Sequence, residues 1–125
     1  MREDLAAAGR FLGLAQRFTL REPLHRVESL LDPAETVRLL VPGWWRGHRS
    51  VVVVTTSRLL LVRRHLRWSP ADQAVFPLGG ISHLSVHASP PEGARFRLAA
   101  GLDLEEFSVT EHVAEVRRAL RAAGA

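Results

Sequence analysis

The sequence predicts a mainly β, α+β domain with helical segments at both ends. Two apolar runs, residues 51–54 and 59–62, flank a short polar break, which is typical of two buried strands joined by a tight turn. Near Glu35 the apolar period changes from that of a helix to that of a strand. A helical apolar period returns in the last seventeen residues, so we expect the chain to end in an amphipathic helix.

Length and composition favour a single domain. A chain of 125 residues can bury a core, and the absence of cysteine excludes disulfides and thiolate metal sites. The first residues include Glu3 and Asp4, unlike a secretory signal, and no run approaches the roughly 20 apolar residues of a spanning helix. We therefore expect a cytoplasmic protein with no transmembrane segment.

The positive charge is concentrated in the middle of the chain. The net charge is +4, and residues 35–68 contain seven arginines but only one acidic residue, Glu35. Such a region attracts phosphates or acidic partners, although salt screens exposed charges beyond about 8 Å.

The amino-terminal segment is predicted to be helical. An apolar stripe that includes Leu14 and Phe18 indicates a helix over residues 4–18, although Gly9 and Gly13 each cost about 1 kcal/mol relative to alanine. A second helix is predicted over residues 23–31, with Pro23 in its first turn. We therefore divide the chain into an extension, residues 1–31, and a domain, residues 32–125. The extension either lies on the domain surface or contacts a partner.

Alternating apolar residues and turn residues predict seven strands. Arg46-Gly47 is the first predicted turn, and Pro77 confines its strand to a sheet edge or a strand end. Leu102 and Leu104 alternate with acidic residues, and Phe107 breaks that alternation as a bulge would. In chain order the strands cover residues 35–45, 50–55, 59–64, 74–78, 81–87, 94–98 and 102–107.

The last helix is predicted to begin just after the final strand. Ser108 and Glu111 have the spacing of a capping box. Behind them, apolar residues recur at helical spacing. They are Val109, Val113, Val116 and Leu120.

Seven short strands followed by one helix resemble the pleckstrin-homology (PH) superfold. Leu31 and residues 35–37, 54–60, 76–78 and 81 are similar to motifs of bacterial PH-like (YokE-like) and GRAM-type domains, over about residues 28–123. The resemblance implies a seven-stranded antiparallel bent barrel capped by the last helix. It also implies binding rather than catalysis, because eukaryotic relatives often bind phosphoinositides and bacterial ones act as interaction modules.

Arg46, Arg49 and Arg64 are the candidate anion-binding residues. In the family fold the mouth between the first two strands holds lipid headgroups, and the planar guanidinium suits phosphate. The turn here is shorter than in headgroup-binding relatives. The alternative is therefore a solvated basic rim or a protein contact.

Four apolar residues are the candidate protein interface. Trp44 and Trp45 are strand neighbours, so one should be in the core and the other exposed. The other two candidates, Phe11 and Leu12, lie on the predicted first helix.

Other chemistry is not supported by the sequence. His83 and His87 would be roughly 13 Å apart on a strand, too far to bind one metal ion. No nucleophile motif, phosphate loop or RNA-stacking motif is present, so we expect neither an enzyme nor a nucleic-acid-binding protein. Arg95 and Arg97 are expected to pair with the acidic residues Asp103 and Glu105 across a hairpin.

The predicted function is therefore a non-catalytic binding module without a cofactor. Its partner would be another protein or a second copy of the chain. The alternative is a module that binds anionic phospholipid or phosphate at the basic rim of the first hairpin.

Overall fold

A computed structural model describes residues 2–64, 69–88 and 93–122, with only the backbone of residue 122. Within these residues, helices flank seven antiparallel strands. The helices are α1 (Glu3–Ala8), α2 (Leu14–Thr19), α3 (Arg21–Leu30) and α4 (Val113–Ala122). The strands are β1 (Val37–Trp45), β2 (His48–Thr55), β3 (Arg58–Arg63), β4 (Gln73–Pro77), β5 (Ile81–Ala88), β6 (Ala94–Ala100) and β7 (Asp103–Val109). The predicted fold class is confirmed.

The strands form one sheet in the order β4-β3-β2-β1-β7-β6-β5. Strands β1 and β7 pair only through Trp44 with Ser108 and Trp45 with Phe107. We call these two residue pairs the seam. They divide the sheet into a first half-sheet, β1–β4, and a second half-sheet, β5–β7. Strand β4, with Pro77 at its end, lies at a sheet edge as predicted.

The inner core lies between the two half-sheets. Phe96 and Phe107 stack in its centre with ring centroids 5.1 Å apart, and α4 adds Val116 and Leu120, which are fully buried. The predicted apolar face of the last helix is therefore confirmed. Burial of side chains from both half-sheets and from α4 makes this cluster the centre of the domain.

A second apolar cluster, the outer cluster, lies on the opposite face of β1–β3. Helices α1 to α3 cover this face, with Val27 among its fully buried members. From the strands come Val37, Leu40, Val51, Val53, Leu60 and Val62, and from the helical segment Leu5, Ala8, Leu12, Leu20, Leu24 and Val27. Because β2 and β3 are covered on both faces, their sequences are continuously apolar rather than alternating.

The amino-terminal segment differs from the prediction of one helix over residues 4–18. It contains α1 and α2, separated by a 3₁₀ turn at Gly9–Phe11. The N–H of Gly13 donates to Oε1 of Gln16 at 2.9 Å as α2 begins. Glycines have low helix propensity, and the break lets Leu12 enter the outer cluster.

The end of the chain also differs from the prediction. Val109 is still in β7, and α4 begins at Val113, so Ser108 and Glu111 do not form a capping box. His112 has a φ of 63°, and its carbonyl accepts the N–H of Val116 at 3.1 Å. The helix therefore starts after a sharp change of backbone direction.

Strand β7 has the opposite orientation to the one its leucines indicated. Phe107 pairs with Phe96 in an uninterrupted register, so the predicted bulge is absent from the β6–β7 pair. Glu105, Phe107 and Val109 lie on the inner side, whereas Leu102 and Leu104 are exposed. Stacking of the two phenylalanines in the core outweighs burial of the leucines.

Candidate functional site at the loop end

Three connections meet at one end of the sheet, which we call the loop end. They are the β1–β2 turn, the 3₁₀ turn Pro70–Asp72 before β4, and the β6–β7 turn. Arg46 and Gly47 have φ values of 49° and 78°, as a two-residue type I′ turn requires. The predicted turn is therefore confirmed, and it projects Arg46 toward the other two connections.

Arg46 contacts strand β7, the 3₁₀ turn before β4 and its own neighbour Trp45. Its guanidinium pairs with Oε2 of Glu105 at 3.0 Å and donates to the carbonyl of Ala71 at 2.9 Å. It also stacks on the ring of Trp45 at 4.4 Å from the ring centroid. Arg46 is thus paired with a carboxylate of the same chain, and its side chain remains 40% exposed.

The two tryptophans have the predicted opposite environments. Trp45 is 1% exposed, and its Nε1 donates to Oε1 of Glu105 at 2.7 Å, whereas Trp44 is 50% exposed. One carboxylate, Glu105, therefore binds both Trp45 and Arg46 and connects the half-sheets at the seam.

Arg63 forms a second neutralised pair at the loop end. Its Nε is 2.6 Å from Oδ1 of the fully buried Asp72, and it also donates to the carbonyl of Arg46 at 3.1 Å. The other oxygen of Asp72 accepts the N–H of Ser69 at 2.7 Å. Two arginines of the basic middle segment are thus used to hold the loop end together.

Arg49 and Arg64 lie together, but not beside the side chain of Arg46. The N–H of Arg64 donates to the carbonyl of Arg49 at 2.8 Å, and Arg49 pairs with Trp44 across β1 and β2. Both arginines are exposed, and within the described residues neither shows an ion pair. The structure therefore brings together two of the three predicted anion-binding residues, next to the exposed tryptophan.

A cleft of about 310 Å³ adjoins this row of residues. Trp44 and Arg49 form one side, and Gln16 and Thr19 of α2 form another. The N-terminal helical segment thus helps to shape the surface next to the first hairpin.

The predicted interface residues of the first segment are not both accessible. Leu12 is buried in the outer cluster, and Phe11 is half-buried with its ring centroid 4.2 Å from that of His112. The residues exposed instead are Leu14 and Phe18 of α2, at 88% and 72%. Sequence reasoning placed them on the buried stripe of one long helix, and the break at Gly9–Phe11 changes which face is covered.

A separate buried polar cluster lies at the opposite end of the first half-sheet. Glu35 accepts hydrogen bonds from Thr55 at 2.5 Å, Ser57 at 3.1 Å and Nε of Arg58 at 2.8 Å. Arg58 also donates to the carbonyl of Leu30 at 2.7 Å. Hydrogen bonds from Arg58, then from Thr55, the N–H of Asp32 and Ser57, lower the pKa of Glu35 to about 2. The polar groups of the cluster are hydrogen-bonded to one another, so the cluster offers no reactive group. Through the bond from Arg58 to Leu30 it joins α3 to the sheet.

The predicted hairpin ion pairs involve a different acid. Arg97 Nε is 2.6 Å from Glu106, and Arg95 is 3.9 Å from the same carboxylate. Asp103 and Glu105 are therefore not the partners, because β7 presents Glu106 on the outer face.

Two further features bear on function. Within residues 2–64, 69–88 and 93–122, the histidines and acids form no group of three suited to hold a metal ion. None of the helices in that part of the chain combines the length and the apolar character that crossing a bilayer requires.

The fold is that of pleckstrin-homology-like domains. A DUF1696 family protein with a pleckstrin-homology domain from Shewanella loihica matches with a TM-score of 0.56 and 16% identity, over 85% of this chain and 93% of that one. A pleckstrin homology domain from Shewanella amazonensis matches with a TM-score of 0.52 and 15% identity, over 79% and 92%.

A structure of the linker-DH/PH domains of p115-RhoGEF is also similar, with a TM-score of 0.52 and 18% identity. That match covers 98% of this chain and 40% of the other chain. The searches of known protein families and of curated proteins found no match to this sequence. At these identities the likeness extends to the fold.

Proposed function

We propose that this PH-like domain is a non-catalytic binding module that acts through contact with another protein or with a second copy of itself. The supporting observation is that two arginines of the loop end are paired with carboxylates of the same chain. Arg46 and Arg63 are each paired with a carboxylate inside the domain. The surface instead presents large apolar side chains, notably Leu14, Phe18 and Leu104. Exposed apolar groups of this size are typical of interaction surfaces.

The relationship to YokE-like and GRAM-type domains and a cytoplasmic location belong to the same proposal. Both rest on the sequence motifs and composition described above. The motifs support the relationship because they coincide with the first half-sheet, from residue 35 through the β2–β3 turn to β4.

Sedimentation velocity over a wide concentration range tests the proposed self-assembly. We expect the weight-average mass to rise with concentration. A strictly monomeric protein, together with failure to bind any member of a displayed protein library, would contradict the proposal.

Binding to an anionic lipid surface is the second candidate, and the row Trp44, Arg49 and Arg64 favours it. An exposed indole beside two exposed guanidinium groups combines apolar insertion with attraction to acidic headgroups. Flotation with acidic and neutral vesicles tests this candidate.

The lipid test includes a matched control. The paired change Arg49→Glu with Arg64→Glu should abolish binding to acidic vesicles, whereas Arg38→Glu should leave it intact. Arg38 is an exposed arginine near the other end of β1. No flotation of the unchanged protein at low salt would end the lipid candidate.

A further inference from the structure

The second half-sheet ends in an open edge. Strand β5 is the last strand of the sheet, and among the described residues it pairs only with β6. After the register shift near Ser82, the pairing continues without interruption from His83 to Ala88. No backbone hydrogen bond in the described part of the chain joins residues 83–88 to a segment other than β6. Such an edge presents N–H and C=O groups that can pair with an added strand.

The two edges of the sheet differ in how they are protected. Proteins commonly block an edge with a proline, a charged side chain or a short strand. Strand β4 has only five residues and ends in Pro77, whereas β5 has eight residues and contains no proline, arginine or acidic residue. The comparison favours β5 as the edge that accepts another strand.

A groove of about 400 Å³ lies between β5 and α4. Its walls come from residues 81–84 and Val86 of the strand and from Arg117 and Arg121 of the helix. Leu84 and Val86 pack against the inner core but remain partly exposed. Because α4 has its largest contacts with β1 and β2, the space beside these two apolar side chains is open to a further strand.

The charge of the groove comes from two arginines. Arg117 and Arg121 are four residues apart and therefore lie on the same side of α4. Both are exposed, and within the described residues neither shows an ion pair. No acidic residue of the described part of the chain lines the groove. An occupant with carboxylate groups is therefore complementary, whereas β5 of a second copy would bring another pair of arginines to the same place.

We propose that β5 binds an extended acidic segment of another protein as an eighth strand of the sheet. This inference rests on the proposed function and specifies the partner. Backbone hydrogen bonds to β5 hold the segment, and apolar side chains on its inward face cover Leu84 and Val86. Carboxylates on the same face reach Arg117 and Arg121. Alternate side chains of the segment face away from the groove, so only every second position is specified.

A synthetic peptide tests the inference. The probe is a blocked nine-residue peptide with threonine at every odd position and valine, glutamate, glutamate and valine at the even positions. Its counterpart has lysine in place of both glutamates. We expect the acidic peptide to bind roughly tenfold more tightly than its counterpart at low salt. Amide hydrogen exchange, followed by NMR, should slow in β5 and stay unchanged in β4.

A charge reversal tests the role of the two arginines. In the variant Arg117→Glu with Arg121→Glu, the preference should reverse, so that the lysine peptide binds more tightly. The variant Arg38→Glu with Arg118→Glu makes the same change in net charge at two exposed arginines outside the groove. This control should keep the preference for the acidic peptide, and circular dichroism confirms that each variant is folded.

A change in the peptide backbone provides a test that needs no protein variant. Methylation of the amide nitrogens at the odd positions alone, or at the even positions alone, removes the donors along one edge of the extended peptide. One of these two peptides should lose binding and the other should keep it, because only one edge pairs with β5. Equal binding of both would show that no strand is added and would overturn the inference.

The outcomes separate this inference from the proposed function. Capture of a displayed protein that persists in Arg117→Glu with Arg121→Glu would overturn the inference and leave the binding module in place. Failure of the acidic peptide to bind at millimolar concentration, or slowed exchange at β4 instead of β5, would also overturn it. Slowed exchange in β5 that needs only more of the protein itself would assign the edge to a second copy. Flotation with acidic vesicles that this charge reversal abolishes would assign the arginines to lipid, and either result overturns the inference.

Discussion

The two half-sheets differ in what covers their outer faces. In the first half-sheet the outer face is apolar and lies under α1 to α3. The outer face of the second carries Arg95, Arg97, Leu104 and Glu106, and no helix among the described residues covers it. Both half-sheets present their other face to the same inner core. The difference shows that the amino-terminal helices act as a third layer for one half of the fold only.

The sequence pattern follows this difference in coverage. Strands β2 and β3 are continuously apolar, as expected for strands buried on both sides. Strand β6 alternates, with Ala94, Phe96 and Leu98 buried and the arginines between them exposed. The apolar pattern of each half-sheet therefore indicates whether its outer face is covered.

Removal of residues 1–31 should have the largest effect. It uncovers the outer face of β1–β3 and deletes six buried apolar residues, each of the larger ones contributing roughly 1.5–3 kcal/mol. A typical domain has only about 5–15 kcal/mol of net stability, so residues 32–125 should not fold alone. Circular dichroism and size-exclusion chromatography measure this. Cooperative unfolding of the shortened chain near the original temperature would show instead that the extension is a dispensable addition.

A matched pair of leucine substitutions compares the two outer faces directly. Leu60 lies on the outer face of the first half-sheet and is fully buried, whereas Leu104 lies on the outer face of the second and is exposed. We expect Leu60→Ala to reduce the free energy of unfolding by about 2–5 kcal/mol and Leu104→Ala to change it by less than about 0.5 kcal/mol. Urea unfolding measures both. Equal costs would mean that something covers the second outer face as well.

The charged pairs of the two half-sheets should also differ in how much they stabilise the fold. Glu35 is buried and its pKa is lowered from 4.5 to about 2, so it is ionised in the native state throughout the mildly acidic range. Its contribution is fully present above pH 4.5 and is lost as the pH falls toward 2, by roughly 3 kcal/mol in all.

Glu35→Gln should remove most of that contribution at neutral pH and flatten the acid side of the stability curve. Glu106→Gln, which removes an exposed partner of Arg97, should cost only about 0.5 kcal/mol. Urea titrations between pH 2 and pH 7 distinguish the two variants. An unchanged acid dependence in Glu35→Gln would mean that other carboxylates cause it.

Gly43→Ala tests how closely the half-sheets approach at the seam. A Cβ at Gly43 would lie 2.8 Å from the carbonyl oxygen of Ser108 and 2.9 Å from a methyl of Val52. The strands must separate to admit it, at an expected cost of about 1–3 kcal/mol in thermal unfolding. Gly79→Ala is the control, because nothing lies within 4 Å of its added methyl. No difference between the two would show that the seam is loosely packed.

Local patterns were sufficient to predict most of the fold. The β2–β3 hairpin, the Arg46-Gly47 turn and the edge position of Pro77 each follow from short-range chemistry. Errors occurred where a long-range contact decides the structure. Stacking of Phe107 on Phe96 sets the orientation of β7, and the packing of Leu12 in the outer cluster accompanies the break of the first helix.

The candidate site was less predictable because its pairings join residues that are distant in sequence. Arg46 and its partner Glu105 are 59 positions apart, so nothing local indicates that this arginine is neutralised. Glu35 and Arg58 are 23 positions apart for the same reason. Only the opposite environments of Trp44 and Trp45 followed directly from strand alternation.

The positions of the two apolar clusters along the chain have a consequence for synthesis. Every buried member of the outer cluster lies between Leu5 and Val62, whereas the inner core requires Leu120. A chain emerging from the ribosome therefore holds all the residues that cover one face of β1–β3 once Val62 has been made. The other face of those strands needs the second half-sheet and α4, so it is still open at that point and is the surface that a chaperone would meet on the nascent protein.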